Sequence, residues 1–287
     1  MRESSRDRKR WWLLPLGVFL SVAWPVAAQS LNWEGQTGAF VTPFAYTAGP
    51  RSVSVSFHHL SAGPVIGRFY QTSVTSGLRR LEFGYTRTFH RAAQTPSLSG
   101  LWRGGFNTAH GKLSVLSENA RKSKWVPAVS VGFVARAQVR HVTGVIRDRN
   151  MRNGDLYVVA TKTITQVPEL PLVLNVGLKT TNASVFGLAG NAPAWQGRLF
   201  GAGALVLKGP ARTTWIAGAE FAQQPREVAG VTGAVIPTTA TYFVRLVPLP
   251  ESKFNIDVGI AQVAGRIAPG VNVASRKQFA MGISYRL

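Results

Sequence analysis

Cysteine is absent from all 287 residues, so no disulfide braces this chain and no thiolate can act as nucleophile or metal ligand. Beyond the first thirty residues there is no apolar run long enough to cross a bilayer as a helix, which excludes a bundle of spanning helices. Acidic residues are scarce, with 12 Asp and Glu against 33 Lys and Arg, and only 16% of the chain is charged while 45% is hydrophobic. A soluble domain carries about 25% charged residues, so the composition sits badly with an ordinary soluble enzyme.

What is present points to strands. The chain has 29 glycines and many Val, Thr, Phe and Tyr, and few windows place apolar residues at helical spacing. The N-terminus reads as a secretory leader: Arg6, Arg8, Lys9 and Arg10 form a basic region, Trp11 to Ala23 an apolar one, and Val26-Ala27-Ala28 a small-residue cleavage site. This predicts a signal peptide over 1–28 and a single mature domain over 29–287. Residues 1–28 hold five basic and two acidic side chains, so the mature chain keeps 28 Lys and Arg against 10 Asp and Glu. Export and the lack of a basic cluster argue against a nucleic-acid partner. Lipopolysaccharide phosphates, acidic polysaccharide or small anions fit such a charge better.

From Ala39 onward, segments of eight to eleven residues carry apolar side chains at alternate positions, separated by Gly, Pro, Asn and Ser. Val129, Val131, Phe133, Ala135, Ala137 and Val139 form the longest stripe, opposed by Ser130, Gly132, Arg136, Gln138 and Arg140. An arginine at bilayer midplane costs roughly 2–4 kcal/mol on the lipid face, so the polar face belongs to a lumen. The same parity turns Lys179, Arg198, Arg245 and Arg286 inward, with Glu82, Glu220 and Asp257 as partial partners. About thirteen candidate strands and the even-number rule for such folds predict an all-β protein: a transmembrane antiparallel up-and-down β-barrel of about twelve strands, with ten and fourteen open.

At the C-terminus, Phe279, Met281, Ile283, Tyr285 and Leu287 occupy every second position to the last residue. This resembles the terminal strand that the barrel-assembly machinery recognises in outer-membrane barrels, with Leu in place of the usual final aromatic. Near the mature N-terminus, Trp33-Glu34-Gly35-Gln36-Thr37-Gly38-Ala39-Phe40-Val41-Thr42-Pro43-Phe44-Ala45 is similar to the Gly-Gln-Thr-Gly…Thr-Pro opening of YjbH-like and related uncharacterised outer-membrane barrels. The resemblance implies cell-envelope or exopolysaccharide biology and carries no catalytic residue. Gly35 and Gly38 are expected to form a tight turn at the barrel rim, and Pro43 to lie at a strand start, edge or bulge.

No catalytic constellation is evident. None of the five histidines has metal-ligand spacing with a neighbouring acid, and His110 and Ser114 on one strand are too far apart for direct proton transfer. No cofactor or metal is expected. His58 and His59 put one ring on each strand face, read as interfacial residues beside Phe57, and Trp33, Trp102, Trp125, Trp195 and Trp215 are placed at headgroup boundaries. Two functions follow. The first is an outer-membrane channel or envelope-assembly barrel favouring anionic or polysaccharide solutes. The alternative is a closed structural barrel that binds lipopolysaccharide or another surface without transport. A lipid-modifying barrel enzyme ranks last.

Overall fold

The computed structural model describes residues 30–61, 67–91, 105–140, 150–166, 170–188, 190–229, 236, 238–249, 252–262, 266–268, 271–272 and 277–287. The leader expected over 1–28, Gln29 and Trp102 lie outside these residues.

Alternating apolar and small or polar side chains make strands, and here the strands close on themselves. In chain order they are β1 (Ser52–Ser61), β2 (Arg68–Leu78), β3 (Leu81–Arg91), β4 (Phe106–Leu116), β5 (Ala128–Arg140), β6 (Asn150–Ile164), β7 (Leu172–Ala183), β8 (Asn191–Lys208), β9 (Thr214–Ala222), β10 (Thr239–Val247), β11 (Phe254–Gln262), the short pair β12 (Arg266–Ala268) and β13 (Val271–Asn272), and β14 (Lys277–Arg286). Twelve of them form a closed antiparallel barrel in the order β1-β14-β11-β10-β9-β8-β7-β6-β5-β4-β3-β2, with β12 and β13 as a separate hairpin. Closure comes from β14 pairing with β1, from Ser54 opposite Arg286 to Ser61 opposite Phe279. No described helix is long and apolar enough to cross a membrane.

The two faces of the wall differ as the alternation requires. Outside, Phe133, Val176, Leu178, Phe221, Tyr242 and Ile260 are all exposed. Inside, the wall carries serine, threonine and charged groups, with Ser73, Thr75, Thr86, Thr88, Thr108 and Thr161 fully buried. An apolar exterior on a ladder with no free edge is the arrangement that satisfies backbone hydrogen bonds in a bilayer. Because the strand number is even, the start of β1 and the end of β14 share one end of the barrel. The turns at this end are mostly short, including the two-residue turn Arg79–Arg80 between β2 and β3.

Residues 30–50 are not a strand of the wall. They enter the barrel and fold there as a plug, with bridges Leu31↔Thr37 and Gly38↔Pro43 inside the segment. Leu31, Ala39 and Thr37 have no exposed surface. Ala39, Phe40 and Phe44 pack on Val173, Ala204, Ile216, Phe243 and Ala280 of the wall, and Ala45 packs with Ala128, Val134, Tyr157, Val159, Phe200 and Ala222. Small wall residues make room for these rings: a Cβ on Gly177 would sit 2.1 Å from the Phe200 ring. The apolar core of this protein therefore lies inside the barrel, between plug and wall.

Three expectations are corrected by this arrangement. The Gly-Gln-Thr-Gly segment lies in the lumen, not at the rim, because its polar backbone finds partners on the inner wall. Trp33 is buried, at 4% exposure, instead of standing at a headgroup boundary. His58 is also wholly buried, its ring edge-on to Trp33 and Phe40 of the plug.

Candidate functional site: the occluded lumen

Two wall carboxylates hold the two threonines of the N-terminal motif. Glu82 on β3 accepts from Thr37 N at 3.0 Å and Thr37 Oγ1 at 2.5 Å, and from Ala48 N at 2.7 Å. Lys112 on β4, directly opposite Glu82 in the sheet, neutralises it at 3.0 Å and donates to Thr37 O at 2.9 Å. Glu220 on β9 accepts from Val41 N at 2.7 Å, Thr42 N at 2.8 Å and Thr42 Oγ1 at 2.8 Å. Charge-assisted hydrogen bonds of this kind are the stronger ones, and here each satisfies a plug amide that water would otherwise have to reach.

Two wall arginines complete the grip. Arg136 on β5 contacts Glu34 through Nε at 2.6 Å and Nη2 at 2.8 Å, and its Nη2 also reaches Asp155 on β6 at 2.8 Å. Arg245 on β10 pairs with Asp257 on β11 through Nε at 2.6 Å, and donates to Gly38 O at 3.1 Å and Ala39 O at 3.2 Å. Neutral groups fill the intervals: Asn175 donates to Pro43 O, Thr86 to Glu34 O, Ser130 to Ala45 O, and Gln36 to the Tyr157 hydroxyl. A buried ion pair is weak evidence for net stability, but breaking one is costly. These contacts fix where the plug sits.

The two motif glycines are required by space and backbone. Gly35 adopts φ +84°, and a Cβ there would fall 2.6 Å from Thr86 Oγ1 and 2.9 Å from Ser73 Cβ. A Cβ on Gly38 would fall 2.3 Å from Thr42 O. From Gly35 to Pro43 the motif has a mechanical meaning: glycines for close approach, threonines for the wall carboxylates, and Pro43 presenting its carbonyl to Asn175.

The side chains singled out by parity do not behave alike. Arg136, Arg245, Lys179, Glu82, Glu220 and Asp257 are buried in the barrel interior. Lys179 lies over the Phe186 ring at 5.1 Å and 3.9 Å from Asp155. Arg198 is half-buried at the opposite end and hydrogen-bonds Gln224 O and the Gln196 side chain. Arg286, also half-buried, is at the last position of β14, and the side chain of Arg140 lies outside the described residues. Phe279, Met281, Ile283, Tyr285 and Leu287 all stand on the outer face, exposed. Sequence reasoning missed Glu34, Lys112 and Asp155. Lys112 and Asp155 share the inward parity of their strands, which was a usable signal; Glu34 sat in the motif with nothing to mark it as a counter-ion.

The lumen is not an excess of positive charge. Among the described residues its buried ionic groups are Glu34, Glu82, Asp155, Glu220 and Asp257 against Lys112, Arg136, Lys179 and Arg245. Among the described residues, the exposed Arg51, Arg79, Arg80, Lys124 and Arg212 lie at the short-turn end, and Arg68, Arg91 and Arg152 at the other. Between plug and wall, a cavity bordered by Glu34, Gln36, Asp155, Tyr157 and Lys179 has a volume of about 20 Å³, enough for a water molecule and too small for a sugar or organic anion. On the long-loop side, Val185, Val228 and Ile236 pack together with Phe186 and Leu188. Among the described residues no group of three or more His, Cys, Asp or Glu is placed to hold a metal ion.

A closed ladder of twelve strands, an apolar outer face and a polar interior define a transmembrane β-barrel, here one filled by its own N-terminal segment. The chain belongs to the family described as Protein of unknown function (DUF3034), whose model matches residues 30–268 and so includes the plug. No curated protein matches the sequence. Among solved structures the chain is similar to an outer membrane channel from Pseudomonas putida F1, at 12% identity and TM-score 0.49, covering 86% of this chain and 98% of that one. It is also similar to the NanC porin, at 9% identity and TM-score 0.49 over 82% and 100%. The KdgM porin, solved in complex with disordered oligogalacturonate, is a third, at 10% identity and TM-score 0.44 over 82% and 98%.

Proposed function

We propose that this protein is an exported outer-membrane barrel, closed at rest by residues 30–50, that acts as a structural or surface-binding component and not as an open pore. The observation that carries this is the capture of Thr37 and Thr42 by Glu82 and Glu220 inside the lumen. An anion-favouring pore would need its inward arginines available to solute, whereas Arg136 and Arg245 are engaged by Glu34, Asp155 and Asp257. In this reading residues 1–28 are removed on export, the strand ending in Leu287 guides insertion by the assembly machinery, and the short-turn end faces the periplasm, as in barrels of this type. Thr37, Thr42 and Glu34 of the motif are engaged by Glu82, Glu220 and Arg136 of the wall, which supports a plug rather than a solute path.

Planar-bilayer recording on refolded residues 29–287 tests the proposal. The expected result is a folded, heat-modifiable barrel that shows no conductance steps, and a chain lacking residues 29–48 that does. Steady anion-selective steps from the unaltered barrel, lost in Arg136→Glu and Arg245→Glu, would establish the channel instead.

A further inference from the structure

The short-turn end of the barrel carries basic side chains in an unusual backbone state. Arg51, Arg79, Arg121 and Arg212 have φ of 58°, 53°, 57° and 64°, the left-handed region that favours glycine and asparagine. Four of the eight described non-glycine residues with positive φ are arginines, and all four lie at this end. Arg51, Arg79 and Arg121 lie on neighbouring turns between β1 and β5, and Arg212, in the β8–β9 connection, lies diametrically opposite the β2–β3 turn in the strand order. Arg80 and Lys124 are exposed beside them. Among the described residues of these connections the acid is Glu118, held by Lys162 and Tyr46; the sequence has Glu169 and Glu251 in the β6–β7 and β10–β11 connections.

Glycine at those four positions would relieve the backbone, and what arginine adds there is an exposed charge; Asn119 and Ala211 share the same backbone state in two of these connections. The role of that charge is set by what surrounds it. Trp125, 76% exposed, and Trp215, 39% exposed, stand at the same end with Leu78, Leu81 and Leu287. Indoles and aliphatic side chains mixed with arginine and lysine mark the boundary between acyl chains and headgroups. A soluble partner docks on one side of a barrel or across its mouth, whereas exposed basic side chains on turns at opposite sides of one barrel end, Arg79 and Arg212, meet counter-charge together in a bilayer leaflet. We infer that this rim is a binding surface for the phosphates of anionic glycerophospholipids in the leaflet at the short-turn end. It rests on the reading of the chain as a membrane-spanning barrel, and does not depend on whether the lumen conducts.

The test is tryptophan quenching of residues 29–287, refolded in bilayers, by brominated phosphatidylglycerol and brominated phosphatidylcholine. Phosphatidylglycerol should be preferred severalfold at low salt, with the preference falling toward unity in molar salt. Replacing the four strained residues together (R51G, R79G, R121G and R212G) should abolish the preference while raising the thermal unfolding midpoint in zwitterionic micelles. A control at the other end (R68S, R91S and R152S) should keep it. The inference is overturned by an unaltered barrel that shows no preference, by a glycine variant that retains it, by equal loss in the control, or by binding of soluble polyglutamate without any selectivity for the lipid. Failure of the barrel to insert or to show heat-modifiable migration would instead sink the membrane-barrel reading.

Discussion

Removing the carboxylate of Glu220 should release the plug without dismantling the wall. The side chain accepts three hydrogen bonds from Val41 and Thr42, and it takes no part in the β8–β9–β10 ladder, which is backbone. Hydrogen bonds to a charged group contribute about 1.5–3 kcal/mol each, so Glu220→Ala at the low end removes about 4–5 kcal/mol from plug docking, or roughly a thousandfold in the docking equilibrium. The protein has no cysteine, so a single Ala39→Cys substitution gives a clean reporter at a position with no exposed surface. Maleimide labelling of that cysteine, under conditions where opening is fast, measures the population of the undocked plug. The Glu220→Ala background should label about three orders of magnitude faster and show discrete conductance, with heat-modifiable migration kept. A rise of less than tenfold, or loss of the barrel itself, would refute the view that this carboxylate is a plug anchor.

Arg136→Met should lower stability by about 3–5 kcal/mol, because Glu34 and Asp155 would keep their charge in the interior with no guanidinium between them; urea unfolding in lipid vesicles reads this directly, and an unchanged midpoint counts against the ion-pair assignment. Gly35→Ala should speed labelling of the same Ala39→Cys reporter by at least tenfold, since the new Cβ has to displace Thr86 and Ser73 and adopt φ +84°. On the outer face, Val176→Arg should cost roughly 2–4 kcal/mol of folding free energy in a bilayer if the site is near midplane, and much less in detergent, where the same variant serves as its own control.

How much was legible beforehand follows from period. A strand places residues i and i+2 on one face whatever its neighbours do, so Val131 and Phe133 outside, and Ser130 and Arg136 inside, could be assigned residue by residue. Glu82 and Lys112 show where this stops. Both have inward parity, yet that they stand opposite each other depends on the register of β3 on β4, which no local pattern encodes. His58 was assigned to a face but not to an environment: inward parity reads the same whether the interior is wet or filled with Trp33 and Phe40.

The N-terminal segment marks the division most plainly. From sequence alone came an all-β chain, its twelve-strand scale, the two unlike faces and a motif rich in glycine and threonine, because each rests on local alternation and composition. Only the tertiary structure decided that the motif lies inside the barrel and that, among the described residues, five buried carboxylates and four buried cations offset one another there. The physical reason is that the plug has no periodicity of its own. Its conformation is dictated by hydrogen-bonding groups contributed by nine of the twelve strands of the wall, from β2 to β11, and those groups converge only when the wall curls into a closed barrel.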